Sequence, residues 1–126
     1  MRNLYWRLSV LFSVVLLSGC TGGKAVSSYE VATGGNAMRG EQVIASYKCG
    51  SCHTIPGIRD ANGVFGPPLN KIARRSILAG EFPNEPEILT RWVKSPTTMK
   101  PATAMPDLGL TESQARDAAA YLETLR

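Results

Sequence analysis

The chain of 126 residues has one histidine, His53, and three cysteines, Cys20, Cys49 and Cys52. That scarcity excludes a zinc site built around Cys49, Cys52 and His53, because the further Cys or His ligands it needs are missing. No segment has the strict alternation or β-branched density of a strand, which argues against a sheet framework and predicts an all-α domain. There is no internal repeat and no long low-complexity region. No run of Lys or Arg is interleaved with aromatics, so the sequence pI of about 9.2 and the net charge of +4 do not indicate nucleic acid. Two of those charges, Arg2 and Arg7, lie in a leading segment; without them twelve basic residues face ten acidic ones, leaving +2. The chain also lacks a comfortable membrane span, since its one sustained apolar run, Leu8 to Leu17, is too short for a mature anchor.

What is present begins with that run. A basic start (Arg2, Arg7), the apolar stretch and the ending Ser18-Gly19-Cys20 have the charge, length and small-residue finish of an export signal. Leu17-Ser18-Gly19-Cys20 resembles the bacterial lipobox. That resemblance implies removal of residues 1–19 and a lipid thioether on Cys20, placing the protein on a bacterial membrane and facing the periplasm or cell exterior. Several acyl chains on one residue hold a protein far more firmly than one. The alternative is an ordinary signal, with Cys20 a spare thiol. Thr21 after that cysteine resembles the outer-membrane pattern of two-membrane hosts. Residues 20–35, rich in Gly, Ser and Thr, read as a flexible tether.

From Asn36 a domain is expected to run to the C-terminus, residues 36–126. Asn36 can cap a helix to about Tyr47, with Met38, Val43, Ile44 and Tyr47 as core contacts and Gly40 permitting close approach of another element. Residues 54–68 form a loop, and 70–75 a short helix. Asn84 ahead of Glu85-Pro86-Glu87 marks a helix start, and Pro96 ends that helix near Lys94. Residues 95–110 read as loop. Thr111-Glu112-Ser113-Gln114 has the form of a capping box opening a helix to about Leu125. Its small face, Ala115, Ala118 and Ala119 with Leu122, suits a close crossing with the Gly40 helix.

Cys49-Gly50-Ser51-Cys52-His53 carries the chemistry. In Cys-x-x-Cys-His each thiol adds to one vinyl group of haem, and the adjacent imidazole is then held against the iron as an axial ligand. The motif thus predicts one covalent haem c. A thioredoxin-type redox pair would require an α/β setting that this sequence lacks. Haem attachment also accounts for the odd cysteine, with Cys49 and Cys52 bonded to haem, Cys20 to lipid, and no disulfide. An electron carrier needs a second strong axial ligand. With no second histidine a methionine thioether is the candidate, which favours reduced iron. Met38 lies in the first helix and reads as core, so Met99 and Met105 remain, both in the Pro-rich loop.

Together with Gly66-Pro67-Pro68-Leu69, Pro96, Pro101-Ala102-Thr103-Ala104-Met105-Pro106 and Ala120-Tyr121-Leu122, the motif resembles that of class I cytochromes c from about Gly40 onward. The resemblance implies that fold, with N- and C-terminal helices crossing and shorter helices and loops around one haem. It implies Met105 as the distal ligand and the Pro67 carbonyl as acceptor for the His53 nitrogen facing away from iron. Met99 would pack at the haem edge or face solvent. Arg74-Arg75, Phe82-Pro83-Asn84, Trp92 and Lys100-Pro101 are most similar to the cytochrome domain fused to subunit II of bacterial haem-copper oxidases. Leu69, Arg74, Arg75, Trp92 and Thr103 would then be pocket contacts, the basic and hydroxyl groups meeting propionates.

These readings predict a membrane-anchored electron carrier rather than an enzyme, without small-molecule substrate. Its partners would be a terminal oxidase, a quinol oxidoreductase or another cytochrome. Lys48, Lys71 and Lys100 could ring the haem edge, although the near-zero charge after haem binding leaves steering weak. Two other classes stand beside this: a gas sensor or peroxidase with a displaceable distal Met, and a structural haem subunit of a respiratory complex. Rapid, full binding of carbon monoxide to the reduced protein would favour the first. Failure to exchange electrons with a purified partner would favour the second.

Overall fold

The computed structural model describes residues 27–126. The elements run α1 (Ser28–Thr33), α2 (Ala37–Ser46), β1 (Ile77–Leu78), β2 (Phe82–Pro83), α3 (Pro86–Lys94), α4 (Pro96–Met99) and α5 (Glu112–Leu122), with 3-10 turns at Cys49–Ser51 and Ile72–Arg74. The leading segment, Cys20 and the first part of the tether lie outside the described residues. Among the described residues no helix is long and apolar enough to cross a membrane.

Caps explain where the two main helices begin. The Asn36 side chain accepts from the Arg39 amide at 3.0 Å, satisfying an orphan donor at the start of α2. At α5 the Thr111 hydroxyl accepts from the Gln114 amide at 3.2 Å while the Gln114 side chain accepts from the Thr111 amide at 2.9 Å. The two helices cross at Gly40, where a Cβ would lie 2.0 Å from the Asp117 carbonyl oxygen. Ala115, Ala118 and Ala119 are fully buried in the same core as Ile44 and Leu122.

Four expectations need correction. Ser27 to Gly35 is not tether alone: Ser27 and Glu30 form a capping box that opens α1. Thr33 is buried, and its carbonyl accepts from Arg116 Nη1 at 3.0 Å. Docking onto α5 thus supplies what the Gly/Ser-rich composition could not. Met38 is not core but 64% exposed. It precedes Gly40 by two positions, about 200° around the helix from the stripe of Gly40, Ile44 and Tyr47 that meets α5. Asn84 does not cap α3; Glu85 holds that position and Pro86 takes the first turn. The Asn84 amide instead donates to the carbonyls of Ile72 and Arg75, both at 2.8 Å. Pro96, which ends α3, also starts α4, because proline suits a first helical turn.

The hairpin β1–β2 was not expected either. It holds two residues a side, turned by Ala79 and Gly80, both left-handed at φ 50° and 81°. So small a sheet leaves the fold all-α.

Asp117 links the two ends of the domain. Its carboxylate is buried and accepts from the Asn36 amide at 2.7 Å and from Arg39 Nε and Nη2, each at 2.8 Å. Asp117→Ala strands the Asn36 donor and should cost about 2 kcal/mol in chemical denaturation. The expected signature is faster amide exchange at Asn36; unchanged stability and exchange would remove the role.

At the end of α5, burial pushes the Glu123 carboxyl above its ordinary 4.5, partly opposed by Arg126. A raised folded pKa means that the charged form is penalised. The penalty is absent below the ordinary value and complete above the raised one. Glu123→Gln should therefore raise the thermal midpoint at neutral pH and leave it unchanged at pH 4, as read by thermal melts at both.

Candidate functional site

The Cys49–Ser51 turn follows α2 directly, and Lys48, left-handed at φ 57°, redirects the chain into it. The His53 amide donates to the Cys49 carbonyl at 3.0 Å, closing one helical turn across the five motif residues. The motif and the loop that follows approach so closely that each needs a glycine. A Cβ at Gly50 would lie 2.5 Å from the Ala61 Cβ, and one at Gly63 2.5 Å from the Ser51 carbonyl carbon. The loop therefore lies flat against the motif, fixed by Gly63 N to Gly50 O at 3.0 Å and Gly66 N to Cys52 O at 2.8 Å.

His53 is oriented by the same loop. Its Nδ1 lies 2.7 Å from the Pro67 carbonyl, which can only accept, so Nδ1 carries the proton and Nε2 keeps the free lone pair. Gly66 makes space for the ring, since a Cβ there would meet His53 Cε1 at 2.4 Å. Holding Nδ1–H on a carbonyl sets the tautomer and strengthens Nε2 as a donor to metal.

Cys49, Cys52, His53 and Met105 all line one cavity of about 390 Å³. Both cysteines are half-buried with no disulfide between them, and burial pushes the Cys49 thiol above its ordinary value. Apolar side chains from α2, α3 and α5 (Ile44, Leu89, Ala118, Leu122) form the floor. Trp92 adds an aromatic wall backed by Phe82, ring centroids 5.9 Å apart. Met105 comes from the Pro-rich loop, its amide donating to Thr103 Oγ1 at 3.2 Å. A cavity of this size and polarity, with paired thiols beside a tautomer-fixed imidazole and a thioether on the same wall set, fits a covalently held haem.

Pro67, Leu69, Arg75, Trp92 and Thr103 line the cavity as well. Arg75 is tied down by Nη2, which donates to the carbonyls of Pro68 and, at 3.2 Å, Asn70. Arg74 and Lys71 are exposed and do not line it, and neither does Met99. Sequence reasoning missed the contribution of Phe65, Ile77, Leu78 and Ala79. Gly80, between Ile77-Leu78 and Phe82, was the local hint of the hairpin that carries three of these, and Ala79 ahead of it gave none.

Comparison with known proteins agrees with this geometry. The cytochrome c family model matches residues 37–126. Cytochrome c oxidase subunit 2 of Alkalihalophilus pseudofirmus is 30% identical over 91 residues, covering 71% of this chain. The chain spans about a quarter of that relative, 26% of its length. The chain belongs to the cytochrome c family, whose members hold haem c covalently and transfer electrons. More particularly, it is a class I c-type cytochrome related to the domain fused to oxidase subunit II.

Proposed function

We propose that this protein is a monohaem electron carrier held at a bacterial membrane by lipid on Cys20 and facing outward from the cytoplasm, delivering single electrons to or within a terminal oxidase or reductase. The observation that carries the redox part is the convergence of Cys49, Cys52, His53 and Met105 on one apolar cavity. The resident group supplies a reversible one-electron couple at iron. The chain's own residues do the rest. Cys49 and Cys52 would hold the haem covalently, and His53 Nε2 and Met105 Sδ would ligate the metal.

The apolar floor excludes water, so oxidation state changes with little rearrangement of the surroundings. Arg75, Trp92 and the Thr103 hydroxyl line the cavity and would contact the haem, Arg75 and Thr103 through its propionates. An oxidase partner is favoured by the similarity to a cytochrome c oxidase subunit, and another cytochrome or a quinol oxidoreductase would serve as donor. The Leu17-Ser18-Gly19-Cys20 sequence supports the anchor, and the export signal supports the location.

Expression with haem-attachment machinery should give one haem per chain that stays bound through denaturing electrophoresis. Replacing both Cys49 and Cys52 by Ser should abolish that staining. Persistent covalent haem in the double variant, or two haems per chain, would overturn the assignment. Cys20→Ser should move the protein from the detergent phase to the aqueous phase on partition; if it stays, lipid on Cys20 is not the anchor.

A further inference from the structure

The sequence reading sets Lys100 with Lys48 and Lys71 around the haem edge, yet the structure commits its ammonium inward. Nζ donates to the Ala79 carbonyl at 2.8 Å and lies 3.2 Å from Glu81 Oε2. Both acceptors sit in or beside the β1–β2 turn. The direction of the Ala79 carbonyl follows from the left-handed backbone at Ala79 and Gly80, a conformation costly for alanine, so this acceptor is held by the turn itself. The Lys100 backbone continues the connection: its carbonyl accepts from the Thr103 amide at 2.9 Å, and the Thr103 hydroxyl accepts from the Met105 amide at 3.2 Å.

A line of bonds therefore runs from the hairpin turn through Lys100 and Thr103 to Met105. Ala79, Lys100, Thr103 and Met105 all line the cavity. The far end of the loop is tied separately, where Asp107 accepts from the Thr97 amide at 3.2 Å and from the Thr97 hydroxyl. Among the described residues the Lys100 ammonium is the side-chain hydrogen-bond donor joining the Met105 loop to the hairpin.

We infer that Lys100 is a positioning residue: it latches the Met105 loop to the β1–β2 turn and so governs how readily the thioether gives way to an external ligand. This rests on Met105 being the distal ligand. Breaking the latch leaves the Asp107 tie and the helical core in place, so the loop opens more often while the domain stays folded. Lys100 is then largely withdrawn from electrostatic docking.

The test is an imidazole titration of the ferric, haem-loaded full chain, followed in the visible spectrum alongside thermal melts. Lys100→Met keeps the aliphatic stem and removes the charged donor. It should bind imidazole about 10-fold more tightly, the lower end of what a hydrogen bond from a charged group supplies. Lys100→Arg, which keeps a cationic donor, should restore affinity to within about threefold of the parent. Glu81→Gln should also stay within about threefold, because the carbonyl bond persists and a half-exposed ion pair contributes little.

Met105→Ala is the control for the ligand assignment and should bind imidazole far more tightly than the parent. If it does so while Lys100→Met matches the parent, the latch is refuted and the ligand stands. A Lys100→Met protein that melts lower with unchanged imidazole affinity refutes it equally, showing a purely structural contact. If Met105→Ala binds no better than the parent, the ligand assignment itself falls.

Discussion

Replacing Met105 with alanine should lower the reduction potential by on the order of 0.1 V or more, a fraction of the ~0.8 V range that axial ligation covers. A thioether is a soft ligand that stabilises reduced iron relative to oxidised iron, and alanine offers nothing in its place. Potentiometric titration reads the potential, and loss of the Met-to-iron charge-transfer band reports the missing bond. The fold should survive, because Met105 sits in a loop at the cavity and not among the buried core residues. Met99→Ala is the matched comparison: Met99 does not line the cavity, so potential and band should stay at parental values. Retention of both signals in Met105→Ala would refute Met105 as ligand.

Gly40→Ala should be the most damaging single methyl addition to the helical frame. The new Cβ would lie 2.0 Å from the Asp117 carbonyl oxygen and 2.9 Å from the Tyr121 Cβ. Neither neighbour is the far end of a flexible chain, so α2 must lift away from α5. Overpacking of this kind costs about 3 kcal/mol, a large share of the 5–15 kcal/mol that typically holds a domain together. For about 100 residues that is a fall of more than ~10 °C in thermal midpoint.

The displacement also reaches the site, because Ile44 on α2 and Tyr47 at its C-terminal cap line the cavity just ahead of Cys49. Gly80→Ala separates sterics from backbone strain. Nothing lies within 4 Å of a Cβ at Gly80, and only its left-handed φ of 81° opposes the substitution. That cost should be about 1 kcal/mol. Equal losses at the two positions would mean that the helix crossing is not set by close approach at Gly40.

Elements were legible where the signal was local. Asn36 and the Thr111 to Gln114 box announced their helices because a cap is made by residues three apart in sequence. Errors arose where a distant partner decided the outcome. The pattern at Ser27 and Glu30 was equally local but lay in Gly- and Ser-rich sequence, and α1 is held down by Arg116, 83 positions from Thr33. Asn84 had the chemistry of a cap, yet its amide was drawn to two carbonyls of the preceding segment. Met38 was apolar on an amphipathic helix, but its angle around that helix turned it to solvent.

For the site, the sequence by itself determined the cofactor chemistry. Two thiols and an imidazole within five consecutive positions need only one helical turn to become a haem-binding unit, and that turn is local. Resemblance to a family also implied Pro67, Leu69, Arg75, Trp92, Thr103 and Met105 as haem contacts. Only the tertiary structure decided which of these share a cavity wall with the motif, that Arg74, Lys71 and Met99 do not, and that Lys100 points its charge at Ala79 and Glu81. Those outcomes depend on how α2, α5 and the hairpin pack. A side chain's surroundings are set by residues far away in sequence, which no local spacing encodes.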